Sequence, residues 1–266
     1  MSRAIAATKG SELNDQISVL VTTASGYVSA DNFVIRRLGA EVEKLATTSA
    51  AEASLCRAML AMAQGDWPGT ERWCANAYRL GAAVDAMGIE FIARCNLGYF
   101  SQAASIYADL TKPRWGVISK YLTHGSICGA FCDVIAGAQA CSEFKIELGD
   151  SHLRAVEVAM KAHAVVARLG VSEQDVQAML DVAGEVLRER RVFWLGPNPQ
   201  VAVLDSEDGA GLLYQMEVAV DAQQASALSD EVVMRMVQRD LDKPGLAFSF
   251  LSVAPTAERH HAHPAS

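Results

Sequence analysis

Residues 65–77, GDWPGTERWCANA, and residues 98–110, GYFSQAASIYADL, align at an offset of 33 and decide how this chain is read. Gly65 falls on Gly98 and Trp67 on Phe100, followed by Thr70 on Ala103, Cys74 on Tyr107 and Ala77 on Leu110. Each glycine can close a helix, because it enters the left-handed region without a steric penalty. The aromatic two positions later would plug the gap between paired helices. A small residue then permits close approach, and apolar residues four and seven places further on face the core. Self-similarity at such a period marks stacked helical hairpins.

The helical pattern extends outward from this pair. Ser29 and Asp31 are candidate N-caps for a stripe of Phe33, Val34, Ile35, Leu38, Val42 and Leu45. Ser49 opens the next helix, in which Leu55, Met59, Leu60 and Met62 recur at helical intervals before Gly65 and Asp66 end it. Pro68 suits a first helical turn, with Trp73, Ala77 and Leu80 as that helix's apolar face. Pro113 follows the second copy, where a helix must stop. Residues 1–10 read as a frayed lead-in. An upstream shift finds only Phe33, and a downstream shift finds no further copy.

This constellation resembles the tetratricopeptide repeat, the second copy (Gly98, Phe100, Ala103, Tyr107, Leu110, Pro113) more closely than the first, which has Thr70 and Cys74 at the small and aromatic positions. The resemblance covers roughly residues 50–113. It implies an array of antiparallel helical hairpins whose successive rotations build a concave, partner-binding face. A generic hairpin array that converged on the same packing is the alternative.

Beyond residue 113 helices are expected over 115–124, over the small-residue-rich stretch 125–141, and over 150–169. Ser172 and Asp175 form a capping-box pattern for a further helix with Val176, Met179, Leu180, Ala183 and Leu187 inward. At residue 191 the period changes to two. Strands are expected at 192–195, at Val201 and Val203, and from Leu212 to Val220, with a turn at Gly196–Pro199 and a hairpin loop at 206–211. Asp221 caps a helix to about Leu241 with Ala225, Leu228, Val232, Val233, Met236 and Val237 buried. A last strand covers Leu246–Val253. The fold class is therefore α+β. A helical array occupies 1–190 and a small α/β domain 191–253, with a disordered tail at 254–266.

Of the 266 residues, 51% are apolar and 20% charged, enough for a core; the net charge is −8. Lys and Arg are scattered, so no nucleic-acid partner is expected, and Arg188, Arg190 and Arg191 read as complements to a helix C-terminus. The longest small-apolar run, Ile127–Cys141, falls short of the ~20 residues that a bilayer span needs, so no membrane association is expected. The N-terminal apolar stretch is too short for a signal peptide. Six cysteines among apolar neighbours read as buried free thiols, and the chain as cytoplasmic.

His124, Cys128 and Cys132 are spaced i, i+4, i+8. On one straight helix the outer two would lie ~12 Å apart, so one ion could use at most an adjacent pair plus ligands from elsewhere. Close packing is the expected role of this segment. His260, His261 and His263 fall in the tail, and Asp205, Glu207 and Asp208 lack calcium-loop spacing. There is no nucleophile elbow, P-loop or dinucleotide fingerprint, so no cofactor is expected and catalysis is the less favoured reading. Arg36, Arg37, Trp73, Tyr78, Arg79 and Tyr99 are the candidate interaction surface, being residue types that anchor interfaces. The expected function is a non-enzymatic scaffold or adaptor, in a bacterial-looking chain, that binds another protein or peptide. Two alternatives remain open. One is an enzyme or ligand sensor with a pocket between array and α/β domain, near His124, His152 or His163. The other is a homo-oligomer joined through 125–141 or the last strand.

Overall fold

The computed structural model describes residues 2–24, 26–112, 116–206 and 209–253; Pro113, Trp115, Glu207, Asp208 and the tail 254–266 lie outside these. The chain is α+β and predominantly helical. Helices α1 (Ser2–Thr23), α2 (Phe33–Ala46), α3 (Ala50–Ala63), α4 (Trp67–Arg79), α5 (Ala83–Asn96) and α6 (Phe100–Leu110) follow in order. A short α7 (Ile118–Tyr121) runs into a 3-10 segment, Leu122–Cys128. Then come α8 (Phe131–Glu143), α9 (Asp150–Arg168), α10 (Glu173–Arg190), strands β1 (Trp194–Ser206) and β2 (Gly209–Val218), α11 (Ala222–Gln238) and β3 (Leu246–Ser252).

Side-chain caps set several helix starts. Ser49, Asp66 and Asp221 each accept from a backbone amide in the first turn, and Ser172 with Asp175 closes a reciprocal capping box. Asn32, rather than Ser29 or Asp31, caps α2, because it is the residue next to the first helical turn. Each helix of the array packs on its sequence neighbour. In addition α1 packs on α3 and α3 on α5, so these three helices form one layer.

The two aligned glycines occupy equivalent corners. Gly65 (φ 72°) and Gly98 (φ 73°) both end a helix, and the residue after each donates back across the turn, Asp66 to the Ala61 carbonyl at 2.9 Å and Tyr99 to the Arg94 carbonyl at 2.7 Å. Thr70, Cys74, Ala77, Ala103, Tyr107 and Leu110 are all buried, as the alignment expects. The aromatics differ. Phe100 is fully buried, whereas Trp67 is half-buried, against the Tyr99 ring (5.4 Å between centroids) and under the Arg94 guanidinium (4.3 Å). Trp67 therefore does not plug the core as Phe100 does.

Gly81 and Gly170 close helices in the same way, and at Gly129 (φ 69°), where Ala130 donates to the Gly125 carbonyl at 3.0 Å, a buried aromatic, Phe131, again starts the next helix, α8. Gly129 lies 31 residues after Gly98 instead of 33, outside the offset that relates Gly65 to Gly98. It also breaks the stretch 125–141, expected as one helix, into a 3-10 segment and α8.

The sheet has the order β1-β2-β3, with β1 antiparallel and β3 parallel to β2; α11 is the crossover between β2 and β3. Leu212, Tyr214, Met216 and Val218 of β2 alternate inward beside Leu246, Phe248 and Phe250 of β3. This face shares one continuous apolar core with α5, α6 and α8–α11, and the Tyr214 hydroxyl donates to the Ser126 carbonyl at 2.9 Å. A second core joins α1, α2 and α3 to the end of α5 and to Phe193.

Several expectations need correction. Residues 2–10 belong to α1, which buries Leu13, Ile17 and Val21, so they are not a frayed lead-in. The expected strands at 192–195 and 201–203 are one strand: Gly196–Pro199 is taken up in a register shift between Leu195 and Gln200 rather than a turn. Phe33, Leu80, Val233 and Val237 are exposed. Phe33 opens its helix and Leu80 lies past the end of α4, while Val233 and Val237 sit one residue round from the stripe Ala225, Leu228, Val232 and Met236.

Candidate functional site

The layer of α1, α3 and α5 holds an apolar cavity of about 240 Å³. Val21 of α1, Met59 and Met62 of α3, and Ile89, Phe91 and Ile92 of α5 line it, with Ile127 from the 3-10 segment and Trp194 from the start of β1. The indole N–H of Trp194 donates to the Cys95 carbonyl at 2.9 Å, which fixes the ring across one end. The position of Ile92 explains the opening: it lines the cavity yet remains 37% exposed.

Polar groups on the wall are few: Ser18, Thr22, Asn96 and His124, with no carboxylate, Lys or Arg among the described lining residues. The Asn96 side-chain amide contacts the Met62 sulfur at 3.6 Å. His124 sits among the Phe91 and Tyr121 rings, and burial holds its imidazole below the ordinary histidine range despite a hydrogen bond with the Tyr121 backbone. A neutral imidazole in an apolar wall can orient a bound group. It lacks the paired acid or base that acid–base chemistry needs.

The six residues singled out from the sequence are not brought to one place. Arg36 and Arg37 are exposed on α2, and Arg37 donates to the Gln16 side chain at 3.3 Å. Trp73 lies under the Arg57 guanidinium (4.6 Å) in a groove between α2, α3 and α4. Tyr78 and Arg79 line a separate groove between α4 and α5. Tyr99 is covered by the Arg188 guanidinium at 4.1 Å. Arg188 also donates to the Leu97 carbonyl at 3.1 Å, so it ties α10 to the end of α5 instead of only complementing its own helix.

The histidine and cysteine residues of the middle region are also rearranged. His124 and Cys128 belong to the 3-10 segment and Cys132 to α8, with the Gly129 corner between them, so the three do not share a helix face. His152 caps its own helix, its Nδ1 accepting the Gly149 amide at 3.2 Å. All six cysteines are unpaired, and five are buried as expected, but Cys132 is exposed.

Cys132 meets two partners far from it in sequence. Its Sγ is 3.4 Å from His163 Nδ1 on α9, which is 3.4 Å from Glu173 Oε1 at the start of α10. That carboxylate oxygen also accepts the Cys132 backbone N–H at 2.8 Å. Partial desolvation of the sulfur against its neighbours, and then the Glu173 carboxylate, push the thiol of this exposed residue up to about 11, the opposite of the depression that activates a nucleophilic cysteine.

No described helix is long and apolar enough to cross a membrane. No protein-family profile, curated protein or solved structure matches this chain.

Proposed function

We propose that the chain is a non-enzymatic interaction protein, an adaptor or regulatory component whose tetratricopeptide-like array receives another protein or peptide on the layer formed by α1, α3 and α5. One observation carries this reading: the apolar cavity in that layer has room for a large apolar side chain and a wall without acid–base pairs. A partner side chain seated there would be held by burial of apolar surface, with Asn96 and His124 as the polar groups that set register. The unpaired cysteines fit residence in a reducing compartment, the cytoplasm.

Photo-crosslinking in the native host tests it. A benzophenone amino acid at Ile92 should trap one discrete protein partner, and Ile92→Glu should weaken capture of that partner at least about tenfold by placing a charge at the cavity mouth. Crosslinks at exposed Leu153 on α9 but none at Ile92 would sink the proposal.

A second reading draws on Trp194, which brings the first sheet strand into the wall of the same cavity. A small apolar ligand bound there would touch both the array and the sheet, as a sensor requires. Native mass spectrometry would then show a small-molecule adduct that is lost in Ile92→Glu, with no protein crosslink.

A further inference from the structure

We propose that Cys132, His163 and Glu173 form a binding site for one zinc ion, separate from the apolar cavity. The three residues come from three helices, α8, α9 and α10, and their ligand atoms all lie within 4.8 Å of one another. A tetrahedral zinc with sulfur at about 2.3 Å and nitrogen and oxygen at about 2.0–2.2 Å sets its ligand atoms roughly 3.3–3.6 Å apart. The Sγ–Nδ1 and Nδ1–Oε1 separations are both 3.4 Å, so two edges of that tetrahedron already exist.

The surroundings favour a cation. These residues line a cleft of about 490 Å³ whose described lining includes a further carboxylate, Asp133, and no Lys or Arg. Thiolate and imidazole beside a single carboxylate match the borderline softness of zinc better than the all-oxygen preference of magnesium or calcium. The Cys132 amide holds the Glu173 carboxylate in place, the kind of outer support that orients metal ligands. Three protein ligands leave one coordination position, which water from the open cleft can take. On binding, the thiol proton goes to solvent and a zinc–sulfur bond replaces the S–H bond, so no redox partner is required.

Cobalt substitution tests this on the full chain. After chelator treatment, Co²⁺ is added and the near-ultraviolet thiolate-to-cobalt charge-transfer band is followed, a signal that a histidine-only tail cannot produce. One equivalent should saturate the band and one equivalent of Zn²⁺ should abolish it. Cys132→Ser and His163→Ala should each lose it while keeping the wild-type circular dichroism spectrum, Glu173→Gln should weaken Co²⁺ binding by more than the roughly tenfold that loss of an outer-shell partner costs, and Cys128→Ala should retain it. Absence of the band in the wild-type chain, or its survival in Cys132→Ser, would overturn the assignment, because the trio would then be a hydrogen-bonded cluster without a metal.

Discussion

Gly98 and Gly184 meet backbone to backbone. A Cβ on Gly98 would lie 2.3 Å from the Gly184 Cα, and a Cβ on Gly184 would lie 2.0 Å from the Gly98 carbonyl oxygen. The second repeat corner is thus the seat of α10, and Arg188, one turn further along α10, donates to the carbonyls of Leu97 and Gly98. Through this contact the helical array positions the helix that packs on α11 and so holds the sheet unit.

Gly184→Ala is therefore expected to lower stability by about 1–3 kcal/mol, because backbone atoms cannot step aside as a flexible side chain can. Gly39 on α2 is the internal control: nothing lies within 4 Å of its Cβ position, so Gly39→Ala should be neutral or stabilise by up to about 1 kcal/mol. Urea unfolding of both variants checks the pair. Equal effects from the two would show that the close approach has no energetic consequence.

Arg235 on α11 bridges Glu185 (2.9 Å) and Glu189 (2.6 Å) of α10 as well as Glu231 of its own helix, and Arg239 pairs with Glu185 at 2.7 Å. The hydrogen bond to Glu189 comes first among the causes that raise the Arg235 pKa, so the guanidinium stays charged. Arg235→Met should cost about 1 kcal/mol at low salt, a modest figure because these groups are partly exposed. In 1 M salt, where the screening length is about 3 Å, the difference should shrink. Chemical denaturation in urea at two salt concentrations decides it; a salt-independent loss would point to packing of the arginine stem instead.

His124 gives the fold an acid-sensitive element. Its folded-state pKa is depressed, chiefly by burial, so the unfolded chain takes up a proton that the folded chain resists. The stability that depends on a neutral His124 is complete above the unfolded value near 6.5 and is lost as pH falls through the folded value. Below pH 6.5 the wild type should lose stability more steeply than His124→Gln, by no more than the ~1.4 kcal/mol per pH unit that one proton allows, and the two profiles should run parallel above pH 7.5. Parallel profiles throughout would mean that His124 takes up its proton equally readily in the folded and unfolded chains, and would remove the acid-sensitive element.

Residues 65, 98, 70, 74, 77, 103, 107 and 110 were legible from the sequence because their roles follow from local rules. A glycine able to adopt positive φ ends a helix, and the 3.6-residue period decides which neighbours face inward. The same rules produced the overstatements. Period alone put Val233 and Val237 on the buried side of α11, although the sheet and α10 cover only the narrower stripe centred on Leu228 and Val232. The turn chemistry of Gly196–Pro199 predicts a turn, but the pairing of β1 with β2 continues on both sides of it.

From its own order of residues this chain determines a helix-dominated α+β fold, two equivalent glycine corners, and cysteines that remain unpaired. Each of these depends on short-range sterics and on apolar spacing, which a linear sequence displays. Tertiary structure alone decided that Trp194 closes a cavity among α1, α3 and α5, that Gly98 lies on Gly184, and that Cys132, His163 and Glu173 converge. Those juxtapositions arise from the angles at which helices stack, and such angles are set by the summed packing of many side chains rather than by any local stretch.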